Sequence, residues 1–261
     1  ARREANPERE PLSARFGSRC PICLEDWDVN DTGVIRICCC RMVCKSCADK
    51  IGLDACPLCR LPCVKSNAEH LARLRRHVEN EVPEAIAHLG IAYREGYYGL
   101  VKSDKKAAKI WKRAVELGSV DAMKYLGDLY QRGSGVKLDK KKAKRLYRAA
   151  ADRGDAFSQT SLAVLLDAEE EFEEAFWYYA LAALQGYTDG EFRLGCRYMS
   201  GTCTEVTRYM SGACTEVDLG RARCLFERAA AKGHEAATKA LPDLDARARY
   251  ASRSFLPDTT R

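Results

Sequence analysis

The stretch EAIAHLGIAYREGYYGLVKSDKKAAKIWKRAVELG (84–118) decides the fold, because the chain goes on to repeat its pattern. A second unit, DAMKYLGDLYQRGSGVKLDKKKAKRLYRAAADRG, runs over 121–154, and a third, FSQTSLAVLLDAEEEFEEAFWYYALAALQG, over 157–186. A fourth starts at Glu191 and ends at Gly233. Each unit reads as a helix, a turn and a second helix, with apolar residues three and four apart. Gly118, Gly154, Gly186 and Gly233 close the units at spacings of 36, 32 and 47. Glycine suits that place because a helix commonly ends on a left-handed residue. Ala85, Gly90, Ala114, Ala122, Gly127 and Ala150 permit close helix approach, and Leu89, Tyr93, Trp111, Leu126, Tyr130 and Tyr147 fill the layer between. No helix pair of this kind buries its apolar face alone, so the units must stack.

Two irregularities stand out. Unit three has a turn four residues shorter, acidic at Glu169–Glu171 and without glycine, so its identity rests on register. The 47-residue spacing has a visible cause: RYMSGTCTEVT (197–207) is followed at once by RYMSGACTEVD (208–218), and without the extra copy the spacing is 36. Eleven residues make about three helical turns. The copy either extends the first helix of unit four or, given Gly201 and the β-branched Thr202, Thr204, Val206 and Thr207, forms a loop or frayed extension. A duplication without function is the default reading.

The pattern A-x-x-x-L-G-x-x-Y-x-x-G…D-x-x-K-A…W/Y-x-x-A-x-x-x-G resembles the Sel-one-like repeat, a relative of the tetratricopeptide class. It covers 84–234, most clearly in units one and two. The resemblance implies a helical array that selects a protein substrate or complex partner along its concave face.

Upstream, cysteine dominates. Ten of the fourteen cysteines precede residue 64. Cys20-Pro-Ile-Cys23, the run Cys38-Cys39-Cys40, Cys44-x-x-Cys47 and Cys56-Pro-Leu-Cys59-Arg60 hold nine cysteines, and eight thiolates are enough for two tetrahedral zinc ions. A disulfide framework of a secreted protein is the competing reading. Paired C-x-x-C units favour a metal, because one such turn aims two sulfurs at one ion. Asp31-Thr32-Gly33 signals a turn and hence a short hairpin between Cys23 and Cys38, and 45–52 reads as one or two helical turns ending at Gly52. So small a module has almost no hydrophobic core and depends on metal to fold.

The order of these pairs resembles the RING finger. The resemblance implies interleaved ligands: Cys20, Cys23, Cys44 and Cys47 on one structural zinc, and Cys56 and Cys59 with Cys38 and Cys39 on the other. Arg41 stands where the family usually has histidine, so this is an all-cysteine variant. Cys40 is the alternative for either member of the middle pair, and Cys63 falls outside the pattern. The resemblance further implies that Ile22, Pro57 and Leu58 meet a ubiquitin-conjugating enzyme and that Arg60 restrains ubiquitin. Against this stands the simpler reading that Ile22 and Leu58 pack the module internally, Arg60 is solvated and Trp27 is a packing residue.

The remaining segments fit around these two parts. Residues 1–17 are charged and aperiodic, a flexible lead-in. The zinc module spans 18–63. Residues 64–83 form a connecting helix capped by Ser66 or Asn67, with Leu71, Leu74 and Val78 on the face that meets the first repeat. Repeats fill 84–241, with a capping helix from Glu235 stopped at Pro242, and 242–261 is a basic tail with one helix around 246–252. The fold class expected is mainly α: a cross-braced two-zinc RING-like module followed by an α-helical repeat solenoid.

Net charge is +6, mild for 261 residues, and no run is apolar enough to span a membrane. Residue 1 is Ala, so the sequence leaves the true N-terminus open. The expected location is cytoplasmic or nuclear. Lysine runs at 102–112 and 137–144 suit nucleic acid or acidic partners less well than they suit the solvated face of the second helices. His70, His77, His88 and His234 are scattered away from the cysteines. No phosphate loop, Ser-His-Asp arrangement or H-E-x-x-H site is present. A RING-type ubiquitin ligase acting without a covalent intermediate is therefore the leading expectation. A zinc-containing adaptor is the alternative, and a nucleic-acid-associated zinc protein the third.

Overall fold

The computed structural model describes residues 20, 22–23, 34–36, 41–43, 45–50, 56, 58, 66–201 and 218–254. The chain divides into two compact units, Ala1–Arg153 and Gly154–Arg261.

The first unit opens with a two-stranded antiparallel ladder, β1 (Val34–Arg36) and β2 (Arg41–Val43), in which Ile35 faces Met42. This ladder is a second pairing beside the hairpin expected at Asp31-Thr32-Gly33, and that tripeptide falls outside the described residues. Helix α1 (Lys45–Lys50) follows β2 closely. Helix α2 (Asn67–Glu79) is the connecting helix: the Glu69 N–H donates to the Ser66 hydroxyl at its start. Leu74 is fully buried and, with half-buried Leu71 and Val78, packs on the first repeat.

Each repeat is then a helix pair. Unit one is α3 (Pro83–Glu95) and α4 (Asp104–Glu116), and unit two is α5 (Val120–Arg132) and α6 (Lys140–Ala151). In the second compact unit, unit three is α7 (Ala156–Ala168) and α8 (Phe172–Leu184). Unit four is α9 (Thr188–Ser200) and α10 (Leu219–Ala231), and α11 (Glu235–Ser254) closes the series.

Two rules make these pairs alike. The eighth residue of each first helix is Gly90, Gly127, Ala163 or Gly195, and the eighth of each second helix is Trp111, Tyr147, Tyr179 or Phe226. These four aromatics head the fully buried side chains. At Gly90 an added Cβ would lie 2.1 Å from Trp111 Nε1, so only glycine admits the indole. The indole N–H in turn donates to the Ala87 carbonyl at 2.9 Å. Tyr147 donates to Gln131 and Tyr179 to Asp167, so the ring's polar edge is satisfied in both.

The second rule closes the turn. The N–H of the residue capping each second helix donates to a carbonyl two residues short of the end of the first: Ser103 to Tyr93, Asp139 to Tyr130, Glu171 to Leu166 and Asp218 to Tyr198, at 2.8, 2.9, 2.9 and 3.1 Å. The loop between is unconstrained by this pin, and its length varies. The closing glycines Gly118, Gly154, Gly186 and Gly233 all sit at φ between 77° and 88°. Unit three turns without glycine, with Glu170 left-handed at φ 63°.

Buried ion pairs tie helices within each compact unit. Asp128 accepts from Arg94 of α3 and Arg132 of α5, at 3.1 and 2.7 Å. Glu191, fully buried, accepts from Arg228 at 2.5 Å and Lys232 at 2.9 Å, and Lys232 also donates to the Gly186 carbonyl.

One expectation changes here. Helix α9 ends at Ser200, with Gly201 left-handed at φ 67°, and residues 202–217, most of the duplicated segment, lie outside the described residues. Pro242 does not stop the last helix, which runs on to Ser254. A proline inside a helix costs about 3 kcal/mol. Ala237 and Leu244, both fully buried, with Ala240 and Leu241 packed beside them, form one apolar face across Pro242 that offsets this cost.

Candidate functional site

The described cysteines converge. The sulfurs of Cys20, Cys23 and Cys47 all lie within 4.8 Å of one another, the one group of three or more His, Cys, Asp or Glu residues placed to hold a metal among the described residues. Local structure sets them there. Ile22 and Cys23 form a turn, which brings Cys23 back toward Cys20. Cys47 projects from α1, and Val43, fully buried at the end of β2, packs with Cys20 and Cys47. Four sulfurs about 2.3 Å from a zinc sit about 3.8 Å apart. Three thiols at this separation therefore form a loosely drawn face of such a tetrahedron, and their chemistry suits zinc.

The other site residues divide by what is described. Cys56 is buried at 1% exposure and stands outside the three-sulfur group. Ile22 and Leu58 are half-buried, packed against the cluster of Cys20, Val43 and Cys47. Cys38, Cys39, Cys44, Cys59, Pro57 and Arg60 lie outside the described residues, as do Cys40, Cys63 and Trp27.

On the repeats, Lys105, Lys106, Lys109, Lys112, Lys140, Lys141 and Lys142 are exposed on the outer faces of α4 and α6. Two of them also have a local task. Lys106 lies over the Tyr93 ring and Lys142 over the Tyr130 ring, both at 5.4 Å, and Arg221 sits over Tyr198 likewise. Each cation thus covers the aromatic residue whose carbonyl pins the turn. Unit three has Glu174 and Leu166 at these places.

The histidines stay with the repeats. His88 Nε2 shares a 2.8 Å hydrogen bond with the Tyr98 hydroxyl, and His70 stacks on the same ring. Burial lowers the His88 imidazole to about 4, so it is neutral at pH 7. Burial, then the neighbouring Tyr97, raises the Tyr98 hydroxyl. His234 accepts the Ala237 N–H at Nδ1 and faces Asp189 with Nε2. Of the later cysteines, Cys196 is half-buried with its thiol pushed up by burial, and Cys224 is exposed. No described helix is long and apolar enough to cross a membrane.

One feature was missed in the sequence. At 44% exposure Trp177 stands on the outer face of α8, with half-buried Leu181 and, at 80%, Leu184. The signal was available: aligned on the fourfold pattern, Trp177 falls where units one and two carry Lys109 and Arg145.

The Sel1 repeat model matches residues 83–119, 120–155, 166–187 and 188–234. The match to unit three begins near the end of α7, consistent with its atypical turn. The chain is 33% identical over 131 residues to Chitin synthase regulator SKT5 of Saccharomyces cerevisiae, covering 47% of this chain and 19% of that protein. It is 34% identical over 118 residues to an uncharacterized Sel1-like repeat-containing protein of Schizosaccharomyces pombe, covering 44% and 17%. It therefore spans less than a fifth of either curated relative. Among solved structures, a Sel1 repeat protein from Oxalobacter formigenes superposes with a TM-score of 0.60 at 24% identity, over 70% of this chain and 71% of that one. That likeness concerns the fold. With the family pattern spread over more than half its length, the chain belongs to the Sel1 repeat family.

Proposed function

We propose that this protein is a RING-type ubiquitin ligase that works without a covalent intermediate, its repeats holding a substrate or partner protein. The observation that carries the reading is the convergence of Cys20, Cys23 and Cys47 with half-open Ile22 and Leu58 at their edge. Cys20, Cys23, Cys44 and Cys47 would hold one structural zinc, and Cys38, Cys39, Cys56 and Cys59 the other. When bound, the ions supply folding energy and no reactive position, since four protein sulfurs close each site. Ile22, Pro57 and Leu58 then offer an apolar surface to a charged conjugating enzyme. Arg60, with five donors in a rigid fork, bonds carbonyls on both that enzyme and ubiquitin and so restrains the thioester for attack by a substrate lysine. Exposed lysines of α4 and α6 are acceptors for self-modification.

The family match lies wholly on the repeats, and one relative is named a regulator, which favours a second reading: a zinc-containing adaptor that assembles proteins without transferring ubiquitin. Self-ubiquitination with a panel of conjugating enzymes separates the two. Transfer by the wild-type chain that is lost in Ile22→Ala, with metal content unchanged, supports the ligase. A folded, zinc-loaded chain that is silent across the panel leaves the adaptor.

A further inference from the structure

We propose that the outer face of α8 docks a basic amphipathic helix of a protein partner. The face runs Glu173 and Glu174, then Trp177, then Ala180 and Leu181, then Leu184, steps of three and four residues along one side of the helix, with Glu170 in the turn that precedes it. Trp177 and Leu184 are 44% and 80% exposed, and Glu170 and Glu173 are exposed beside them. An exposed large aromatic and an exposed leucine in line, with half-buried Leu181 between them, are what a helix-binding surface presents, and tryptophan is the side chain most enriched at binding hot spots.

The same positions elsewhere show that the repeat itself does not need them apolar. Where α8 has Trp177, Leu181 and Leu184, α4 has Lys109, Arg113 and Glu116, and α6 has Arg145, Ala149 and Asp152. The turn changes sign in step: unit three has Glu169-Glu170-Glu171 and Glu173-Glu174 where the second helices of units one and two open on lysines. Fold stability does not demand this paired change, since the buried Tyr179 and its bond to Asp167 keep the internal pattern.

Charge selects the occupant. Glutamates at the approach to an apolar stripe attract a helix with Lys or Arg flanking its leucines, and repel nucleic acid and anionic lipid. Among the described residues a second copy of this chain offers no match: the same face of α8 brings no cations, and the lysine-bearing faces of α4 and α6 bring no exposed apolar stripe. The inference rests on the reading of the repeats as protein-binding and is independent of the cysteine stretch, so a peptide titration and a ubiquitin-transfer assay fail separately.

The test uses the full chain and two fluorescent synthetic helices of equal length and leucine spacing, one Leu/Lys and one Leu/Glu. The Leu/Lys helix should bind at least tenfold more tightly. Trp177→Ala and Leu184→Ser, both at exposed positions and both leaving the melting temperature unchanged, should each weaken it tenfold or more. Glu170→Lys with Glu173→Lys should reverse the preference toward the Leu/Glu helix. Lys109→Glu with Lys112→Glu on α4 should leave Leu/Lys binding as it was. The proposal is overturned if Trp177→Ala binds like wild type, or if both helices bind equally. It is also overturned if Trp177 serves instead to bind phosphatidylserine vesicles or to form a dimer of this chain.

Discussion

If it holds zinc as proposed, the cysteine stretch keeps its shape by means opposite to those of the repeats. Around Cys20, Cys23 and Cys47 the described apolar core is little more than Val43 with half-buried Ile22, Ala48 and Leu58. In the repeats, Trp111, Tyr147, Tyr179 and Phe226 are each fully buried, Trp111 also stacked on Tyr125 of the next unit and Phe226 packed with Ala237 and Leu244 of the last helix. With zinc bound as proposed, folding in the first region would rest on a few bonds of fixed geometry. In the second it is spread over many weak contacts, with the same two devices used four times. One region should therefore fail at a single atom and tolerate no change of spacing, while the other should fail by degrees.

The largest effect belongs to the metal. Structural zinc contributes about 10–16 kcal/mol in small finger peptides, far more than so small a core supplies. Metal analysis should give two zincs per chain. Chelation, Cys20→Ser or Cys39→Ser should unfold the cysteine stretch, seen by proteolysis between residues 20 and 59, while helical circular dichroism of the repeats persists. Cys63→Ser should change neither. A chain whose cysteine stretch resists proteolysis after complete chelation would remove the contrast between the regions.

Next comes the indole of unit one. Trp111→Ala deletes the largest fully buried side chain and strands the space opened by Gly90, at a cost of about 3–5 kcal/mol in thermal or urea unfolding. Trp177→Ala, on an exposed face, should cost under about 0.5 kcal/mol by the same measurement. Equal losses would mean that burial does not rank these residues.

Much of this was legible in the chain. The closing glycines gave the helix ends because each must adopt positive φ, and the eighth-position pairs show as Leu-Gly in the first helix and an aromatic in the second. C-x-x-C spacing pairs Cys20 with Cys23, while their meeting with Cys47 is what the RING resemblance implies. Pro242 misled because a local rule was applied where a buried face from Ala237 to Leu244 overrides it. The ladder of Val34–Arg36 with Arg41–Val43 was not foreseen, because no glycine, proline or asparagine marks the turn between its strands. Trp177 was passed over because an aromatic at helical spacing reads as core until its position in the repeat is compared with Lys109 and Arg145.

A smaller effect tests the repeats' polar weak point. His88 has an ordinary value near 6.5 unfolded and about 4 folded, lowered by burial. As pH falls, the unfolded chain takes the proton first. Its contribution is therefore complete above about pH 6.5 and is lost as pH falls toward 4. Between pH 7.5 and 5 the loss should be about 2 kcal/mol, and His88→Gln should flatten that part of the profile in urea unfolding. A parallel profile in the variant would place the acid sensitivity elsewhere.

The smallest effect is the most telling about the two regions. Deleting residues 202–212 restores a single RYMSGACTEVD ahead of Leu219 and leaves both partners of the pin, Tyr198 and Asp218, in place. The chain between them is roughly halved, and loop-closure entropy gives about 0.6 kcal/mol per twofold change in length, in favour of the shorter chain. The melting temperature should stay level or rise by a few degrees at most. In the cysteine stretch an insertion of the same size between Cys44 and Cys47 should abolish zinc binding, because those two sulfurs must reach one ion. A large loss of stability on deletion in unit four would show that the duplicated residues pack on the repeat, and that its pin does not insulate the helices from what lies between them.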